Sequence, residues 1–284
     1  MDNWILWALA AYIVVQIGIS LGVFMFIKSE ADYLIAGRSL GPFLATFSIF
    51  ASWFGAETVM GSSGAIAQGG LAASRSDPFG YTICLILMGL LLSGALRKKN
   101  YVTVGDFFAD YFGRKNEVIA SVIMIPTSII WAAAQIQALA LILASISPLQ
   151  VASAQLISVI IVVIYTWLGG LMGDVIHDLL QGSVVIIGLI ILLWFIVAKA
   201  GGPIPAMHMI EFKQLSLLGP NESWLTQFNV WLVPVLGSMV APEVLSRNLA
   251  TRNEKVSRNS SFFAAGLYFL VGMIPVLIAL IVAT

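Results

Sequence analysis

Residues Ala51 to Gly70, ASWFGAETVMGSSGAIAQGG, lie inside an apolar stretch long enough to cross a bilayer, yet they hold Glu57, Gly55, Gly61, Gly64 and the pair Ser62 and Ser63. A carboxylate and helix-weakening glycines are costly at membrane depth, where irregular backbone is tolerated only if buried in protein or lining a wet cavity. An ionisable residue there marks a functional site by default. The stretch reads as a broken helix that holds a solute or an ion near the membrane midplane.

The rest of the chain supplies the membrane context. Hydrophobic residues make up 60% of it and charged residues 10%, against about 25% charged in soluble domains. This composition predicts an all-α membrane protein. The apolar runs place eight transmembrane helices at 4–27, 41–69, 78–96, 117–146, 151–170, 174–199, 225–247 and 260–283, since a bilayer core takes about 20 residues per helix. The first run lacks the basic start of a signal peptide and reads as a permanent helix. Of the 14 Lys and Arg, eleven fall on one side of this arrangement and Arg75, Lys199 and Lys213 on the other. The positive-inside rule then puts the N-terminus outside. Short loops and few outer charges suit a bacterial inner (plasma) membrane.

Several function classes find no support. There is no basic tail or nucleic-acid patch, and no phosphate-binding glycine loop. No enzyme signature or cofactor motif is present. Cys84 is the sole cysteine and reads as a buried small hydrophobe. Residues 100–116 alternate charge with aromatics, which suits a short amphipathic surface helix or a loop capped by the Thr103–Asp106 pattern. Asn221-Glu222-Ser223 fits a glycosylation acceptor, a weak signal in so short a motif.

A second interrupted span, NVWLVPVLGSMVAPEVL at 229–245, carries Pro234, Gly237, Pro242 and Glu243. It lies five helices after the first broken one and runs the opposite way. Paired interruptions in matching positions of two halves point to an inverted-repeat transporter with its site between them; the alternative is a packing helix kinked by proline.

The segment ADYLIAGRSLGPFLATFSIFASWFGAET, then Asp77-Pro78-Phe79-Gly80, Thr103-Val104-Gly105-Asp106, Tyr165-Thr166-Trp167-Leu168-Gly169-Gly170 with Asp178, and Pro242-Glu243-Val244-Leu245-Ser246-Arg247 together resemble the sodium:solute symporter family. The resemblance runs from about residue 31 onward. It implies a LeuT-like fold of two inverted five-helix repeats. Residues 1–30 would form an extra N-terminal helix, 31–200 the first repeat, and 201–284 the start of the second. On that reading the second repeat is incomplete in this sequence, which reaches only the seventh core helix, whereas the family's hydroxyl ligands for sodium lie on the eighth.

The resemblance also implies sodium as the coupling ion, bound by backbone carbonyls at Ala51 and Phe54, with Asp178 near the ion's inner path. His177 stands where the family usually has threonine. It reads as a solvated or capping residue, or as a departure that alters ion dependence. Solute contacts implied by the resemblance are Glu57, Thr58, Gln68, Asp77, Trp131, Gln135, Gln137, Pro234, Gly237 and Ser238. Glu57 also reads as a structural or gating group that pairs with a neighbouring span. Trp131 and Gln135 share a helix face at i, i+4, as a solute platform or as core packing. Expected partners are a small organic solute, sodium and the lipid bilayer. The expected function is secondary active symport by alternating access. Two alternatives stand beside it, a membrane sensor domain of a signalling protein and an inactive truncated paralogue.

Overall fold

The computed structural model describes residues 4–219 and 222–283; Asn221 of the acceptor pattern lies outside them. Among the described residues the regular structure is helical, apart from one isolated parallel bridge between Leu40 and Thr251. We number the helices α1 (Trp4–Phe24), α2 (Glu30–Ile35), α3 (Pro42–Trp53), α4 (Glu57–Gly69), α5 (Ser76–Lys98), α6 (Val104–Phe112), α7 (Arg114–Ile146), α8 (Val151–Lys199), α9 (Pro203–His208), α10 (Trp224–Val240), α11 (Pro242–Leu249) and α12 (Glu254–Val282). Five of these are long and apolar enough to cross a membrane, and seven spans result if each bent pair counts as one.

Both interruptions expected from the sequence are bends. The α3–α4 pair turns by 51° and the α10–α11 pair by 43°. At the first, Phe54 leaves the helical region (φ −81°, ψ 89°) as its N–H closes on the Phe50 carbonyl. At the second, Ala241 (φ −59°, ψ 118°) precedes Pro242, the first residue of α11. Proline suits a helix start because its missing N–H would have no partner there.

A third interruption sits inside α8. Gly170 adopts φ 51°, ψ −160°, a backbone region open essentially only to glycine. A Cβ there would lie 2.8 Å from the Tyr33 carbonyl oxygen, so the loop carrying α2 packs directly onto the turn.

α12 packs against α3 and α5 through small and polar residues. Ser257 donates to the Ser93 carbonyl at 3.0 Å and to the Asn248 Oδ1 at 3.1 Å. Ser261 reaches the same Asn248 oxygen at 2.9 Å. A Cβ on Gly89 would meet Ser261 at 3.1 Å, so glycine permits the close approach. Lipid gives no hydrophobic drive for helix pairing, and small residues with shared hydrogen bonds take that role, about 0.6–2 kcal/mol per bond. The core beside them is aromatic. Phe50 stacks on Phe54 with centroids 4.9 Å apart, and Tyr268 of α12 meets Phe54 edge-on at 5.6 Å.

α6 is the short amphipathic helix expected over 100–116, and it begins with the Thr103–Asp106 capping box. At the same basic end, Arg97 is buried and donates to the carbonyls of Thr251 and Arg252 and to the Asn100 side chain. Cys84 is buried.

Candidate functional site

The two bends face each other across a cavity of about 290 Å³. α3 contributes Trp53, α4 Glu57, α5 Tyr81 and α7 Thr127, Ser128 and Trp131; Gly237, Ser238, Pro242 and Glu243 close it from the second broken helix. The polar groups are organised along an aromatic wall. The Tyr81 hydroxyl donates to Glu57 Oε1 at 3.2 Å, and the Trp53 indole N–H donates to Glu243 Oε1 at 3.1 Å. The Trp53 and Tyr81 rings lie 5.1 Å apart, centroid to centroid. No Lys, Arg or His is among the residues lining the cavity. Arg247, one turn beyond Glu243, donates to the Glu243 backbone carbonyl and to Asp178. An electron-rich wall with two carboxylates suits a positively charged group.

Of the residues expected to meet a solute, Glu57, Trp131, Gly237 and Ser238 line this cavity. Gln135 sits beside the break, its Oε1 3.0 Å from where a Gly55 Cβ would stand. Glu57 does pair with a neighbouring span, through Tyr81. The others lie elsewhere. Gln68 is exposed near the end of α4. The Gln137 side chain bonds to Gln155. Pro234 is buried over Gly80, where an added Cβ would come within 2.9 Å of its ring. Thr58 and Asp77 form a buried cluster with Tyr268: Thr58 Oγ1 lies 3.1 Å from both Asp77 Oδ1 and the Tyr268 hydroxyl, which itself bonds Asp77 Oδ1. Trp53, Tyr81 and Glu243 were not expected in the site. Their signals are faint in sequence: the tryptophan just before the Phe54–Gly55 break, and a carboxylate directly after Pro242.

The break in the first helix also exposes backbone oxygens. Phe54 N–H bonds to Phe50, and the ladder resumes with Val59 N–H to Gly55. The carbonyls of Ala51 to Phe54 therefore fall outside the helical ladder, and a hard monovalent cation takes such neutral oxygens. Asp178 lies one turn toward the basic end, bonded to Ser48 Oγ and paired with Arg247 at 3.4 Å. His177 is neither solvated nor a cap. It is buried, and its Nε2 donates to the Gln16 carbonyl of α1 at 3.0 Å. The imidazole thus ties the first helix to α8.

On the opposite face Arg75 is buried and pairs with Glu222 at 2.6 Å. This bonding and the positive charge hold the Glu222 carboxyl below the usual carboxylate range. The pair joins the start of α5 to the loop before α10.

The family model described as "Sodium:solute symporter family" matches residues 33–284. A high-affinity choline transporter of Drosophila melanogaster is 28% identical over 89% of this chain and 41% of its own length. A sodium/proline symporter of Salmonella typhimurium is 28% identical over 78% of this chain and 46% of its own. The chain spans less than half the length of these relatives. Among solved structures, a Na+-coupled sialic acid symporter in a substrate-bound outward-open state superposes with a TM-score of 0.78 at 18% identity, covering 96% of this chain and 58% of that one. That likeness concerns the fold.

Proposed function

The chain belongs to the sodium:solute symporter family, and from that premise we propose that it carries the solute-gripping helices of a sodium-coupled secondary transporter. The observation that carries the reading is the cavity between the two helix breaks, with its aromatic wall and its two carboxylates. The solute is a small organic molecule with a cationic group. Its charge lies against Trp53 and Trp131, worth about 0.5–2 kcal/mol per aromatic face, and against Glu57 and Glu243. The choline and proline carriers among the relatives both handle small nitrogen-bearing solutes, and the aromatic wall favours the first of these chemistries.

Sodium binds the freed carbonyls of Ala51 and Phe54. It holds the break open at the angle that presents Trp53 on one side and Glu57 on the other. Sodium thereby favours the conformer to which the solute binds better, which is the thermodynamic content of coupling. Asp178, neutralised by Arg247, stands on the path from that site to the basic face.

Eight crossings fit this reading. At 49 residues, α8 would run about 74 Å as one helix, more than twice the hydrocarbon thickness; the turn at Gly170 divides it into two spans. Residues 1–30 then form the extra helix, 31–200 the first repeat and 201–284 the start of the second. The basic face lies in the cytoplasm, and the N-terminus and the Arg75–Glu222 pair lie outside the plasma membrane.

The test is uptake of radiolabelled choline by proteoliposomes holding the full-length protein. Uptake should rise with an inward sodium gradient, and Trp53→Ala should abolish the rise. Choline binding that sodium leaves unchanged would sink the coupling.

A further inference from the structure

We propose that Asp77, Thr58 and Tyr268 form a second cation site, separate from the Ala51 and Phe54 carbonyls, which takes one monovalent cation, sodium or a proton. Asp77 is 1% exposed, Thr58 2% and Tyr268 0%. The three come from α5, α4 and α12, so the site joins the outer half of the first broken helix to a helix of the second repeat. The Thr58 and Tyr268 hydroxyls both meet Asp77 Oδ1. The other carboxylate oxygen, Oδ2, is buried without a hydrogen-bond partner. Neutral hydroxyls cannot cancel a carboxylate's charge, and a buried charge without a counter-ion costs several kcal/mol.

Among the described residues no cation forms an ion pair with Asp77. Arg75, two residues before it, pairs through Nη2 with Glu222, and its other guanidinium nitrogens bond no group, Asp77 included. Tyr81 packs edge-on to Tyr268, with centroids 6.2 Å apart, and its hydroxyl goes to Glu57. Glu57, next to Thr58 in sequence, adds a second negative charge nearby, and α12 presents the Tyr268 phenol. One carboxylate and two hydroxyls, all hard oxygens, suit an alkali cation or a proton and disfavour a soft transition metal. Thr58 follows the helix break by one turn, so occupancy of this site and the angle of the bend are mechanically linked. The consequence is that one more positive charge moves with each solute than the carbonyl site alone would carry; only this consequence rests on the transport reading above.

The experiment measures binding of radioactive sodium to the full-length protein in detergent at about pH 8.5 and about pH 6, beside proton release recorded with a pH indicator. Wild type should bind one sodium more than Asp77→Asn at the higher pH. If the proton is the natural occupant, the two proteins should bind equal sodium, and wild type alone should exchange a proton when solute is added. Tyr268→Phe keeps the packing and removes one ligand, and should weaken the extra ion's affinity by about tenfold. Equal sodium and equal proton counts in wild type and Asp77→Asn would overturn the site, even where sodium still drives uptake. A proton difference with no sodium bound to either protein would support the site and sink sodium coupling.

Discussion

The Trp53 indole donates to the Glu243 carboxylate at 3.1 Å, so one hydrogen bond links the two broken helices at the floor of the cavity. Each partner directly adjoins a break, Trp53 as the last residue of α3 and Glu243 as the second of α11. Trp53→Phe keeps an aromatic face and removes only the link. On the proposed reading we expect it to weaken choline binding by about tenfold, near the low end of what one hydrogen bond to a charged group is worth. Trp53→Ala removes the face as well, and about a hundredfold loss is expected from the two effects together. Equilibrium binding to the full-length protein checks both, and equal losses would mean that the ring contributes nothing.

Gly170 turns the chain between the two halves of α8 with a backbone that side chains avoid. Gly170→Ala adds that strain to a contact with the Tyr33 carbonyl. It should cost about 1–3 kcal/mol, read as a lower melting temperature in detergent. Gly188→Ala, on the same helix and open to solvent or lipid with nothing near a new Cβ, is the control and should leave melting in place or raise it slightly.

The Arg75–Glu222 pair should show itself as a pH effect. The Glu222 carboxyl is held below its ordinary range, so the folded state binds that proton less readily than the unfolded chain does. The stabilisation is present at neutral pH and is lost as pH falls below about 4.5, the usual glutamate value. The melting difference between wild type and Glu222→Gln should therefore hold from pH 7 to about pH 5 and shrink as pH falls further, from about 4.5 towards about 3. A difference that stays constant down to about pH 3 would assign the pair no electrostatic role.

Cys84 sits in the core beside Leu85 and Met88. A membrane-permeant maleimide should leave it unlabelled in the folded protein and label it fully after denaturation, as mass spectrometry would record. Labelling in the folded state would mean that the α5–α12 contact opens.

Much of the architecture was legible because membranes punish irregularity. Glycine, proline and carboxylate inside apolar runs marked both bends, and Gly170 fell where two spans were expected to meet. The cavity was less legible, because its walls are assembled across spans. Trp53 and Tyr81 stand 28 positions apart, on different helices, and nothing local in either segment announces that their rings touch. Thr58 and Asp77 were expected to meet the solute, but sequence gives no direction to a side chain, and both bond in the Tyr268 cluster and do not line the cavity. Gln68 and Pro234 share the helices of the site and face away from it for the same reason. His177 reads as a surface residue only if the first helix is ignored.

The bridge at the basic end has a consequence of another kind. Leu40 N–H bonds to the Ala250 carbonyl and Arg252 N–H to the Leu40 carbonyl, so two main-chain bonds fasten the segments flanking the two broken helices, beside the Arg252 side chain's bond to the Ser39 carbonyl. Ordinary substitution cannot delete a peptide group. The main-chain part of this fastening is therefore invisible to alanine scanning and free to persist while the side chains around it drift. Only proline at 40 or 252 strikes at it, by removing a donor. A latch built this way is inherited with the fold and owes little to any one residue's identity.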